Sequence, residues 1–194
     1  MNICIYGAAS TKIDQMYIDV VEELGREIGK RGHNLVYGAG STGLMGAAAR
    51  GVKEAGGKVI GVIPTFFRDE ELEGIFEDCD ELIFTETMQE RKLTMETRAD
   101  AFITVPGGIG TFEEFFETLT LKQLGRHKKP IALYNINGYY DPIGMLMYMS
   151  MKQRFVKSYC NMLYLTFTEL EEMFDYIEKE DSTFGLTVAD TKAP

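Results

Sequence analysis

Asp100-Ala101-Phe102-Ile103-Thr104-Val105-Pro106-Gly107-Gly108-Ile109-Gly110-Thr111-Phe112-Glu113-Glu114 reads in three parts. Residues 101–105 are β-branched, aromatic or small, as in a strand buried on both faces. Three glycines in the four positions 107–110 then remove Cβ atoms where the chain must bend, and they let amide N–H groups gather around an anion at a helix N-terminus. The helical period that follows is predicted to run over 111–124, placing Glu113 and Glu114 in its first turn. There the helix dipole favours an ionised carboxylate and lowers its pKa. A strand, a glycine bend and a helix make one half of a parallel β/α unit.

Working outward, the same alternation repeats. Strands are expected at 2–6, 34–37, 58–63, 101–105 and 130–134, with weaker edge strands at 81–84 and 162–165. Helices are expected at 14–30, 43–55, 88–99, 111–124, 142–153 and 168–179. In the first helix Tyr17, Val21, Leu24 and Ile28 recur at the spacing of one helical face. The class is α/β, a doubly wound, mostly parallel sheet with helices on both faces. Residues 1–180 read as a single domain and 181–194 as a C-terminal tail. The acidic stretch 64–80 is assigned to neither strand nor helix.

The 194 residues carry 30 acidic and 20 basic side chains, a formal charge of −10. A nucleic-acid backbone would be repelled by that field, so no nucleic-acid partner is expected. No apolar run is long enough to span a bilayer, and Met1 leads directly into a strand-like stretch with no basic leader, so a cytoplasmic protein without a membrane partner is expected. Cys4, Cys79, Cys160, His33 and His127 do not fall at disulfide-framework or zinc-ligand spacings. No metal is expected.

Two further loops occupy ligand-binding positions, beyond the carboxyl ends of strands. Tyr6-Gly7-Ala8-Ala9-Ser10 admits close approach of a ligand and equally admits a simple turn. Gly38-Ala39-Gly40-Ser41-Thr42-Gly43-Leu44-Met45-Gly46 contains a formal G-x-G-x-x-G between a strand and a helix. A dinucleotide site would need an acidic residue at the end of the next strand, where this chain has Gly61-Val62-Ile63-Pro64-Thr65. What remains is a phosphate- or nucleotide-contacting loop through Gly40, Ser41 and Gly43, or tight helix–strand packing. The absence of any G-K-[ST] speaks against phosphoryl transfer from a nucleoside triphosphate.

The string Met88-Gln89-Glu90-Arg91-Lys92, followed by Met95, Ala99-Asp100-Ala101-Phe102-Ile103 and Pro106-Gly107-Gly108-Ile109-Gly110-Thr111-Phe112-Glu113-Glu114, resembles the signature of the LOG (Lonely Guy) family. The likeness extends over about residues 1–165. It takes in Val36 through Gly46, Val59 through Pro64, Leu121 through Pro130 and Asn137-Gly138-Tyr139-Tyr140-Asp141. Departures are Ile109 where a tyrosine is common, Ala39 within the usual triple glycine, and the first loop's Gly7-Ala8-Ala9-Ser10.

That resemblance implies a Rossmann-like fold and hydrolysis of the N-glycosidic bond of a nucleoside 5′-monophosphate, AMP or an N6-substituted form, to free base and ribose 5-phosphate. It implies no cofactor, and a homodimer with the site near the subunit boundary. The catalytic pair would be Glu114 and Arg91. The candidate binding set is Lys92, Gly107, Gly108, Ile109, Gly110, Thr111, Glu113, Gly40, Ser41, Gly43, Met88, Arg98 and Thr120. Glu113, about 100° around the helix from Glu114, is the more natural dipole cap, and Glu117 is a possible assistant one turn on. The positive residues on 88–99 could equally form a solvated face. Met145, Met147, Met149 and Met151 surround Leu146 and Tyr148, so that helix is either central or shared with a second subunit. Two rival readings are a non-catalytic nucleotide carrier and a lysine decarboxylase. The second needs pyridoxal phosphate on a Schiff-base lysine, and no lysine of the sequence stands out for it.

Overall fold

The computed structural model describes residues 1–69 and 74–179; the tail expected at 181–194 lies outside the described residues. Seven strands, β1 (Asn2–Tyr6), β2 (Asn34–Tyr37), β3 (Val59–Pro64), β4 (Glu81–Thr85), β5 (Ala101–Thr104), β6 (Ile131–Tyr134) and β7 (Leu165–Phe167), form one sheet. Their order is β4-β3-β2-β1-β5-β6-β7, and all six pairings are parallel. The chain winds outward from β1 to β4, then returns to lay β5 on the other side of β1. The switch point of the sheet therefore lies between β1 and β5, where a crevice opens beyond the strand ends.

Alternating side chains of the central strands feed two cores. Ile3 and Ile5 of β1 face the helices α1 (Gln15–Lys30), α2 (Gly43–Glu54) and α7 (Leu170–Ile177). Cys4 and Tyr6 face α4 (Met88–Arg98), α5 (Ile109–Gln123) and α6 (Asp141–Lys152). Helix α1 starts where the Asp14 carboxylate accepts the Met16 amide at 2.8 Å. It approaches α2 so closely that a Cβ on Gly51 would lie 2.1 Å from the Glu22 carbonyl oxygen.

Three differences from the sequence reading have local causes. The last strand is β7 at Leu165–Phe167, after a 3-10 turn over Ser158–Met162; the apolar Leu163 and Tyr164 that suggested a strand at 162–165 are buried in the approach to it. The stretch 64–80 contains a short helix, α3 (Thr65–Asp69), and an antiparallel bridge between Ile75 and Gly40. Helix α5 begins at Ile109, two residues before the expected start, with Gly108 as its N-cap. Glu113 and Glu114 thus sit in its second turn.

Lys122, near the far end of α5, is 6% exposed and its amine has no hydrogen-bond partner among the described residues. Burial alone pushes its pKa down to about 8. Because the folded pKa lies below the unfolded one, the folded chain bears the full penalty below pH 8. Stability is then regained as pH rises toward the unfolded value. Lys122→Met is expected to stabilise the protein at pH 7 by about 2 kcal/mol, roughly 4–8 °C in melting temperature. The gain should vanish above about pH 10.5. Melting curves at pH 7 and 10.5 check both statements.

Candidate functional site

A cavity of about 360 Å³ opens at the switch point, lined by Gly7, Ala8, Ala9, Ser10, Met45, Met88, Arg91, Gly108, Gly110, Thr111, Glu113 and Glu114. Parallel pairing of β1 with β5 brings their following loops side by side, and the Ala8 amide donates to the Pro106 carbonyl at 3.1 Å. An adjoining hollow of about 280 Å³ shares Ala8, Ser10 and Gly108, and it is otherwise walled by groups such as Ile13, Tyr17, Leu44 and Tyr139.

One wall is the start of α5. Gly108 brings no side-chain cap, and the first-turn amides of Ile109, Gly110 and Thr111 have no intrahelical acceptor. A Cβ built on Gly108 or Gly110 would meet no atom within 4 Å. Their bareness leaves the helix end open to an anion. Thr111 is buried beneath, and a Cβ on Gly107 would collide with its side chain, 2.1 Å from Oγ1.

The opposite wall is α4. Thr87 caps it by accepting the Glu90 amide at 3.1 Å, while the Glu90 carboxylate accepts the Glu86 amide at 2.8 Å. One residue on, Arg91 is 6% exposed. Its Nε donates to the Val62 carbonyl at 3.1 Å and its Nη2 to the Gly38 carbonyl at 3.0 Å. Nη1 lies 3.9 Å from the Met88 sulfur, and the Phe67 ring of α3 faces the guanidinium at 5.7 Å. These partners are all uncharged, and among the described residues the cation forms no ion pair.

Glu114 is half-buried, and its carboxyl makes no hydrogen bond or ion pair among the described residues. Burial pushes its pKa up to about 7, against the opposing pull of Arg91. The dipole-lowered carboxylate expected from the sequence is corrected here: the early start of α5 takes Glu114 out of the first turn, and desolvation outweighs nearby positive charge. Glu113 is no cap either. Its carboxylate and that of Glu117 grip Lys92 at 2.6 and 2.7 Å, tying α4 to α5.

Of the residues singled out in the sequence, the cavity brings together Glu114, Arg91, Met88, Gly108, Gly110, Thr111 and Glu113. Gly107 lines the adjoining hollow, and Ile109 points outward, 87% exposed. Lys92 is engaged by its two glutamates. Arg98 pairs with Glu81 at 2.7 Å on the surface, and the Thr120 hydroxyl donates to the Phe116 carbonyl one turn back. Gly40 and Ser41 are joined to residues 74–75. Gly43 packs against the backbone of Ala8–Ser10, with φ of 59°. The Gly38–Gly46 loop thus braces the first loop, through Thr42 Oγ1 to the Ala9 carbonyl and the Leu44 amide to the Ala8 carbonyl. It sends only Met45 into the cavity wall. Gly7, Ala8, Ala9, Ser10 and Met45 are not among the candidate binding residues. For the first four, a position after β1, next to β5, is the available signal.

No helix among the described residues is long and apolar enough to cross a membrane. The family model described as possible lysine decarboxylase matches residues 45–177. The cytokinin riboside 5′-monophosphate phosphoribohydrolase LOG of Oryza sativa subsp. japonica is 43% identical over 80% of this chain and 63% of its own length, so the chain spans under two thirds of that relative. LOG2 of Arabidopsis thaliana, with the same enzyme name, is 35% identical over 97% of this chain and 90% of its own. Among solved structures, the molybdenum cofactor carrier protein of Chlamydomonas reinhardtii superposes with a TM-score of 0.68 at 23% identity, covering 92% of this chain and 95% of that one. The corresponding binding protein of Rippkaea orientalis gives 0.64 at 19%, covering 91% and 93%. At those identities the likeness is one of fold. The relatives at 35% identity and above, together with the family model, settle the lineage: the chain belongs to the LOG family.

Proposed function

We propose that this protein hydrolyses the N-glycosidic bond of a nucleoside 5′-monophosphate, AMP or an N6-substituted AMP, to the free base and ribose 5-phosphate. The observation that carries the reading is a carboxyl, Glu114, without a hydrogen bond or ion pair among the described residues, in one cavity with a buried guanidinium, Arg91, held by backbone carbonyls, and the bare amide end of α5. The names of the LOG relatives support the same reaction class. In this proposal the amides of residues 109–111 and the Thr111 hydroxyl hold the phosphate. Glu114 faces the ribose, and the base lies toward Arg91, Met88 and Met45. As the C1′–N9 bond breaks its electron pair leaves with the base, and cationic character builds on the sugar. An ionised Glu114 stabilises that charge and takes one proton of the attacking water, whose hydroxyl bonds to C1′; the departing base takes a proton from solvent, and Glu114 returns its own to solvent. Incubation with AMP followed by chromatography is expected to give adenine and ribose 5-phosphate in equal amounts, unchanged by EDTA. AMP recovered intact would favour a non-catalytic carrier on the same scaffold.

The open space at Gly110 gives a sharper expectation. Gly110→Ala adds a methyl group that meets only the cavity and removes backbone freedom from the unfolded chain. Stability should be unchanged or up by about 0.5 kcal/mol, whereas KM for AMP should rise about tenfold as the methyl occupies the phosphate position. A raised KM with a lowered melting temperature would contradict it.

We also propose a homodimer through α6. Met147 is its buried methionine, while Met145, Leu146, Tyr148 and Met149 stand exposed as one apolar surface. Sedimentation should show a dimer at micromolar concentration and a monomer for Leu146→Glu. A lysine decarboxylase gains no support from the cavity, whose wall contains no lysine. The one lysine with a lowered, acid-free amine on α5, Lys122, lies roughly 16 Å along the helix from Thr111.

A further inference from the structure

The Gly38–Gly46 loop has a glycine at its head that neither the cavity nor a turn explains. Gly38 does not line the cavity, and its φ is not in the left-handed region reserved for glycine. A Cβ built on it would nonetheless stand 1.7 Å from Arg91 Nη2, 2.8 Å from Cζ and 3.4 Å from Nε, and these are its three nearest atoms. The guanidinium occupies the place of the missing side chain. Gly38 and Val62 both lie just past the last registered β2–β3 pair, Tyr37 with Gly61, and both offer Arg91 a carbonyl. The bare backbone thus permits the approach and supplies one of its two acceptors.

We infer that Gly38 is a positioning residue, the seat that fixes the Arg91 guanidinium over the cavity. Its consequence for turnover rests on the catalytic reading of Arg91. A methyl group at position 38 is compatible with the local backbone and collides only with a side-chain end, so the chain folds and the guanidinium is displaced. Such a residue acts entirely through its neighbour, and two substitutions that remove one unit are not additive.

The test is a double-mutant cycle on the full chain with AMP as substrate, read by initial rates and by melting temperature. Gly38→Ala is expected to lower kcat about 100-fold, close to the loss in Arg91→Ala, and the double variant is expected to be no slower than Arg91→Ala alone. The melting temperature should fall on adding Gly38→Ala to the parent and should not fall on adding it to Arg91→Ala, where the space has been vacated. Parental turnover in Gly38→Ala beside a slow Arg91→Ala overturns the seat while leaving Arg91 catalytic. Losses that multiply in the double variant overturn it as well. If Arg91→Ala itself turns over normally, the catalytic reading fails and the melting cycle decides the seat: a penalty confined to the Arg91 background supports it, and an equal penalty in both overturns it.

Discussion

Replacing Glu114 with glutamine is expected to lower kcat for AMP by about 10²–10³-fold while leaving the fold intact. The amide has the shape of the carboxyl but can neither carry charge toward the sugar nor accept a proton from water. Stability should move the other way. In the folded chain burial pushes the carboxyl's pKa up to about 7, above its ordinary value of about 4.5. Between those two values the unfolded chain has lost its proton while the folded chain retains it, so the parent loses stability as pH rises through that window. The loss is complete above about pH 7. Glutamine has no such dependence, and Glu114→Gln should therefore gain about 2 kcal/mol over the parent at pH 8 and little at pH 5. In rate measurements the parent's kcat/KM should climb through pH 7 to a plateau, and the residual activity of the variant should lack that limb. A slow variant that keeps the limb would assign it to another group.

Arg91→Ala is the second large effect, again about 10²-fold or more in kcat. Its stability change is a contest. Truncation leaves the Val62 and Gly38 carbonyls without their donor, which costs about 1–3 kcal/mol for each buried group left unsatisfied. It also removes a buried cation that forms no ion pair among the described residues, and this offsets part of the loss. Arg91→Lys should not restore turnover. A guanidinium reaches two carbonyls from one plane and still presents Nη1 toward Met88 and the cavity, whereas an ammonium is a point donor on a flexible stem. Wild-type turnover in the lysine variant would reduce the role of Arg91 to charge alone.

Much of the architecture is legible in the residues, because buried parallel strands and amphipathic helices write distinct periods. The β1–β6 spans agree with the structure to within about a residue. β7 is displaced because a short apolar run cannot say whether Met162–Tyr164 enters a strand or a 3-10 turn. Local helix electrostatics give the pKa of Glu114 the wrong sign, since it lies among walls that come from the loop after β1, α2 and α4 as well as α5. Lys92 was equally opaque: adjacent to Arg91 in sequence, it turns to a different face and meets Glu113 and Glu117. The glycine-rich loop at 38–46 reads equally as a ligand contact or as tight helix–strand packing, because glycine marks any close approach. What approaches Gly38 is a side chain 53 positions away, a fact that no local pattern records.

A nucleotide carrier and a hydrolase would share the amide end of α5. They part at the carboxyl, which a carrier does not need near the ribose. The decisive measurement is a crystal structure of Glu114→Gln with AMP. The account predicts phosphate on the amides of residues 109–111 and the anomeric carbon beside residue 114, with its amide in contact range. Phosphate bound elsewhere, or residue 114 turned from the sugar, would contradict it.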